Sequence, residues 1–218
     1  DQLTRRSWQM TSATMTDIFH DAVRVCPDRV YCKSANQSLT YSEAAKMIGA
    51  VGRGLGPTVR GRAVALALPN SAAFLISYFA VLSAGAYPVL VNYAHPDATV
   101  TKLLEGIDLG AVLSDRDIPG LDVSKFDDAA LTKLVSDGTA PHAAVATPPE
   151  GIGAILFSGG TTGLPKKVSH TNKMLVAAVE RMEWGWPTND REIWLPVAPF
   201  THIYGFLMGV LNPVLRGG

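Results

Sequence analysis

The sequence predicts an α/β fold, with mostly parallel sheets covered by helices on both faces, and three observations predict it. No formal charge occurs between Arg62 and His95, yet Pro69, Asn70, Gly85 and Pro88 cut that run into strand, helix and strand. Ile152 to Phe157, IGAILF, is a second continuous apolar run of the kind a strand buried on both faces requires. Elsewhere stretches of helical period alternate with short apolar strands, without an internal repeat.

The elements follow in order. Thr16 to Val25 reads as a helix, and Asp28 to Lys33 and Gln37 to Thr40 as short strands about a turn at Asn36. Leu39 to Glu43 opens an apolar-periodic stretch that runs to about Gly54. Ala63 to Leu68 is a strand, Ser71 to Ala84 a helix capped by Asn70 or Ser71, and Tyr87 to Val91 the next strand. Pro96 and Asp97 start a helix to about Ile107, and Ala111 to Leu113 is the strand after it. Ser136 to Glu150, SDGTAPHAAVATPPE, has no period and reads as a connector. The organisation is therefore a first α/β lobe over residues 1–135, a connector over 136–150, and a further unit over 151–218. In that unit the strand ending at Phe157 delivers a glycine-rich loop, Asn172 caps a helix from Lys173 to about Trp184, and Glu192 to Leu195 is a strand.

Composition excludes several classes. A chain of 218 residues can bury one good core, or one and part of another. Nineteen basic and nineteen acidic residues give zero formal net charge, so no nucleic-acid or anionic-membrane partner is expected. Cys26 and Cys32 are too few and wrongly spaced for a metal cage and read as ordinary thiols of a reducing compartment. The charge-free run is long enough to cross a bilayer, but its breakers make it a buried unit rather than a transmembrane segment. No charged n-region followed by an apolar h-region opens the chain, and beginning at Asp1 rather than Met predicts a trimmed polypeptide. A cytoplasmic location is expected, with a peroxisomal one left open because no C-terminal address is visible. Nothing in the sequence sets the oligomeric state.

Phe157 to Val168, FSGGTTGLPKKV, carries the chemistry. Ser158, Gly159, Gly160, Thr161, Thr162 and Gly163 let backbone N–H groups and hydroxyls converge on one anion, and Lys166 adds a point charge. A Walker A loop is excluded, since it needs Gly directly before its Lys and Ser or Thr after it; here Pro165 precedes and Lys167 follows. Strand, glycine-rich loop, helix is the expected context for phosphate binding.

The segment resembles the nucleotide-binding motif of the adenylate-forming enzymes, the acyl-CoA synthetase, 4-coumarate–CoA ligase and luciferase group, whose usual form is SSGTTGLPKGV. Gly159 stands where a second Ser is usual, removing a hydroxyl but keeping a backbone donor. Lys167 stands where a Gly is usual, a position at which Lys is expected to reach the required backbone conformation only at a cost. LTYSE at Leu39 to Glu43 resembles the family's first core motif, and LPNSAAFLISYFAVLSAGAYPVLVN, ending at Asn92, its second. LPVAPFTHIYGF, Leu195 to Phe206, is similar to the loop that borders the acyl pocket in the 4-coumarate ligase and luciferase branch.

That resemblance implies the N-terminal part of an ATP-dependent acid–thiol ligase, which converts a small carboxylic acid, aryl or fatty, to an acyl-AMP and passes it to CoA. ATP, Mg²⁺ and CoA are the implied cofactors and co-substrates, with no metal held by protein ligands. Ser158 to Gly163 and Lys166 would grip the triphosphate. His202 would sit near the carboxylate and the forming adenylate as a positioning and electrostatic group, with Tyr204 and Gly205 at the acyl pocket. His170, Trp184, Trp186 and Trp194 are weaker candidates for the same surroundings, while His20, His95 and His142 form no metal-ligand pattern. The family's YGxTE-like segment, ribose-binding Asp, hinge and C-terminal domain with its catalytic Lys do not occur in these residues, so the 218 residues alone are expected not to catalyse ATP–pyrophosphate exchange. The alternative is a naturally truncated, non-catalytic nucleotide-binding or interaction module.

Overall fold

The computed structural model describes residues 14–34, 37–136, 145, 148, 150–159, 163–185 and 192–216. Helix α1 (Met15–Val25) starts at a capping box in which Thr14 and Asp17 satisfy each other's amides, and α2 (Tyr41–Leu55) starts at a second one, Thr40 with Glu43. The Thr40 amide and hydroxyl on the Glu43 carboxylate hold it below its usual range. Strands β1 (Val30–Lys33) and β2 (Ser38–Thr40) form a separate antiparallel pair between these helices.

The main sheet contains β3 (Ala63–Ala67), β4 (Tyr87–Leu90), β5 (Leu109–Ser114), β6 (Val123–Lys125), β7 (Ile152–Ser158) and β8 (Lys166–Thr171) in the order β6-β5-β3-β4-β7-β8. All neighbours are parallel except β7 and β8, so the mostly parallel α/β sheet is observed with one antiparallel edge strand. The β4–β7 pairing carries this one sheet across the 136–150 connector.

Alternation along β3 explains why both faces are covered. Ala63, Ala65 and Ala67 join Val89, Val112 and Ile155 under α4 (Asp97–Leu104), which buries Val100, Leu103 and Leu104 there. Val64, Leu66 and Leu68 face the larger core with α1, α2 and α3 (Ala72–Ser83). Every residue of α3 is buried, as a helix without a charged face at the centre of a fold demands. Its twelve residues span about 18 Å, well short of a bilayer. Among the described residues no helix is long and apolar enough to cross a membrane.

Ser71 rather than Asn70 caps α3, its hydroxyl accepting from the Phe74 amide at 3.2 Å, and the Asp128 carboxylate takes the Ala73 amide at 2.9 Å. Asp128 opens α5 (Asp128–Ser136), which, like β6, lies in sequence too short and mixed to have been read as an element.

Three expectations are corrected. The glycine-rich loop does not run straight into a helix: Lys166 to Thr171 forms β8, and the loop is the turn of a β-hairpin. Thr171, not Asn172, caps α6 (Asn172–Gly185) through its hydroxyl on the Met174 amide at 3.2 Å. Buried Asn172 instead reaches back to the Pro148 and Gly151 carbonyls, both at 3.4 Å, fastening the end of the connector. Glu192 to Val197 forms no strand, and Ile193, Leu195 and Val197 are 97%, 85% and 86% exposed.

The chain closes with a helix from α7 (Ile203–Phe206) through a π-helical stretch, Leu207–Leu211, to α8 (Asn212–Arg216). Pro213 explains the widening: it has no N–H for the Gly209 carbonyl and its ring crowds that oxygen, while the Asn212 amide bonds Leu207, five residues back.

Candidate active site

Parallel strands converge their carboxyl ends on one edge, where loops rather than ladder partners receive the chain. Two loops at that edge carry residues singled out by sequence, one leaving β7 and the other held against the end of β3.

The first is the β7–β8 turn. Ser158 pairs with Lys166 across its base, and the Ser158 hydroxyl donates to the Lys166 carbonyl at 3.4 Å. Ser158, Gly159 and Gly163 are exposed, and a methyl group added at either glycine would meet open space. Gly160, Thr161 and Thr162 lie outside the described residues. Lys166 and Lys167 are consecutive residues of a strand and therefore address opposite sides of it. Lys167 donates through Nζ to the Glu105 carbonyl at the C-terminus of α4, 3.1 Å away, where a helix end favours a cation. Its backbone is ordinary strand, and no described non-glycine residue has positive φ, so the expected conformational cost of Lys at 167 is not incurred.

The second loop is Ala198 to His202, held against the end of β3. The Asn70 side chain donates to the Ala198 carbonyl and accepts from the Phe200 amide, both at 2.9 Å. Phe200 is buried against Phe74 of α3, ring centroids 5.3 Å apart. The His202 amide donates to the Pro199 carbonyl at 3.0 Å, and the ring caps α7 by accepting from the Tyr204 amide at Nδ1, 3.3 Å. The proton of the neutral ring is thus on Nε2, free to donate. Tyr204 is 56% exposed, whereas Gly205 is buried so tightly that a Cβ there would overlap the Pro199 carbonyl oxygen and lie 2.9 Å from that of Ala198. Beside this turn opens a cleft of about 100 Å³ whose walls include Trp194, Leu195, Val197, Tyr204, Met208 and Gly209. The buried Trp194 Nε1 has no hydrogen-bond partner.

The described residues of the two loops lie apart along the same edge. The β4–β7 and β3–β4 registers, extended beyond the ladders, put Ser158 level with Asn92 and Leu68, two strand spacings or about 10 Å apart. Among the described residues no hydrogen bond or ion pair joins Ser158 or Lys166 to His202. No group of three or more His, Cys, Asp or Glu among them could hold a metal ion. Sequence reasoning missed Asn70, taken for a helix cap, together with the Lys167 strut and Met208 and Gly209 in the cleft. A contact across 128 or 130 residues leaves no local signal.

Residues 19–218 match the family model of the AMP-binding enzymes. The chain belongs to the AMP-binding enzyme family. Triostin synthetase I of Streptomyces triostinicus is 28% identical over 226 residues, covering 93% of this chain and 42% of that protein. 4-Coumarate–CoA ligase 1 of Narcissus pseudonarcissus is 30% identical over 206 residues, covering 84% of this chain and 37% of that ligase. The o-succinylbenzoate CoA synthetase of Bacillus subtilis, solved with its acyl-adenylate intermediate, shares the fold with a TM-score of 0.78 at 18% identity, over 95% of this chain and 55% of that one. The AMP-binding chain thus spans about two-fifths of the length of the curated relatives it matches, 42% and 37% of these two.

In this AMP-binding family member His170 lies on β8 opposite Ala154, behind the glycine-rich turn, and burial holds its imidazole below the ordinary 6.5. The unfolded chain therefore binds the proton more readily than the folded one. Its contribution to stability is complete above pH 6.5 and is lost as the pH falls through 6.5 towards the folded value. Urea midpoints measured from pH 7.5 to 5 are expected to fall less steeply for His170→Gln than for the parent chain.

Proposed function

We propose that this chain supplies the phosphate-gripping and acyl-facing part of an enzyme that activates a small carboxylic acid with ATP. A carboxylate oxygen attacks the α-phosphate, the bond from that phosphorus to the oxygen bridging to the β-phosphate breaks, and pyrophosphate leaves an acyl-AMP. A thiol then attacks the acyl carbon and expels AMP. The β7–β8 turn carries the reading: it leaves β7 at the carboxyl edge of the sheet, with its described glycines, Gly159 and Gly163, unobstructed and Lys166 at its base. In this role Ser158 and the turn's amides, with Lys166, hold the triphosphate in line, and His202 donates from Nε2 to the carboxylate or the adenylate oxygens. Mg²⁺ fits as an ion carried on the phosphates, because the described residues offer no carboxylate cage of their own.

Nine residues line the cleft beside His202 and none is charged, which favours an acid with an uncharged body, aryl or aliphatic. CoA is the thiol this reading assigns. The match to Triostin synthetase I favours a second version, in which an amino or aryl acid is activated for a peptide-synthetase thiol.

ATP–pyrophosphate exchange by the full-length protein, screened against aryl, fatty and amino acids with Mg²⁺, tests the reading. Exchange that depends on one class of acid is expected. Absence of exchange with every class, together with no thermal stabilisation by MgATP, would sink it.

A further inference from the structure

Two segments that are far apart in sequence meet at one side chain. Asn70 lies just past the end of β3 at Ala67, after Leu68 and Pro69, and precedes Ser71, the cap of α3, whose first turn is also tied to Asp128. From that rigid base its carboxamide uses both of its ends, Nδ2 on the Ala198 carbonyl and Oδ1 on the Phe200 amide, each at 2.9 Å. A planar amide bonded at both ends fixes position and orientation together, as a single bond would not. The segment it grips continues within two residues to His202, whose amide closes back on Pro199 and whose ring caps α7. On the far side Phe200 is wedged between Phe74 and Gly209, where a Cβ would lie 2.7 Å from its ring.

We propose that Asn70 is a positioning residue for the acyl site, setting the His202 segment relative to the end of β3. The proposal rests on the reading of His202 as a carboxylate-facing group, and it separates from that reading because the clamp can be measured without any reaction. Asn70→Ala removes both bonds; Asn70→Asp keeps the acceptor for Phe200 and loses the donor to Ala198.

Amide exchange of the full-length protein, followed at Phe200, is expected to run roughly three- to tenfold faster in Asn70→Ala and close to the parent rate in Asn70→Asp. In the exchange assay Asn70→Ala is expected to raise the KM for the acid several-fold and leave the KM for ATP unchanged. Phe200 exchange as slow in Asn70→Ala as in the parent overturns the proposal. So does faster exchange with an unaltered KM for the acid, or an equal rise in both KM values, which would mark a general loosening. If the parent protein activates no acid at all, the ligase reading fails and the Phe200 rate alone decides whether the clamp exists.

Discussion

Gly205→Ala is expected to lower the unfolding free energy by about 3 kcal/mol, the upper end for an overpacked site, because the added methyl meets backbone rather than a side chain that can swing away. The methyl would overlap the Pro199 carbonyl, and Pro199 is already bonded to the His202 amide, so α7 and the 198–202 segment cannot both keep their places. One must move, and either movement shifts His202 or breaks the Asn70 clamp. Urea unfolding measures the loss, and exchange at Phe200 shows which side gave way. Gly163→Ala is the control: nothing lies within 4 Å of its Cβ, so a change within about 0.5 kcal/mol is expected. Equal unfolding curves for Gly205→Ala and the parent would refute the packing argument.

Lys166→Ala is expected to slow acid activation by about a hundredfold, the scale on which removing one preorganised group from a developing charge is felt. Folding should hardly change, because among the described residues no hydrogen bond or ion pair holds the exposed Lys166 side chain, and its carbonyl keeps the Ser158 hydroxyl. Lys167→Ala makes the comparison sharp. Its ammonium is already held by the Glu105 carbonyl on the other side of β8, so its loss should cost a few-fold at most. ATP–pyrophosphate exchange rates of the two variants decide the matter: similar losses would mean that Lys166 has no special place at the turn.

The parallel core was legible because burial on both faces writes itself into the residues. β3, β4 and β7 are apolar but for the last residue of β7, and Pro69 and Gly159 follow the ends of β3 and β7. β8 was not legible, since KKVSHT carries no apolar period and is a strand only because β7 offers it a ladder. The opposite error befell Glu192 to Leu195, where alternating apolar residues look like a strand but no described neighbour pairs with them. At the site, Ser158 and Lys166 flank the β7–β8 turn, while His202 caps α7, which holds Tyr204 and Gly205. That both places lie at the same edge, and that Asn70 ties one of them down, follows from topology, which acts between residues too distant for any local rule.

The bare ribbon at Ile193, Leu195 and Val197 has a practical consequence. Three large apolar side chains at every second position, each more than four-fifths in water, make a ready template for strand-to-strand adhesion. Polypeptide comprising only these 218 residues would therefore be prone to clump during purification, and a polar replacement at Ile193, which lines neither the buried core nor the cleft beside His202, is the direct remedy.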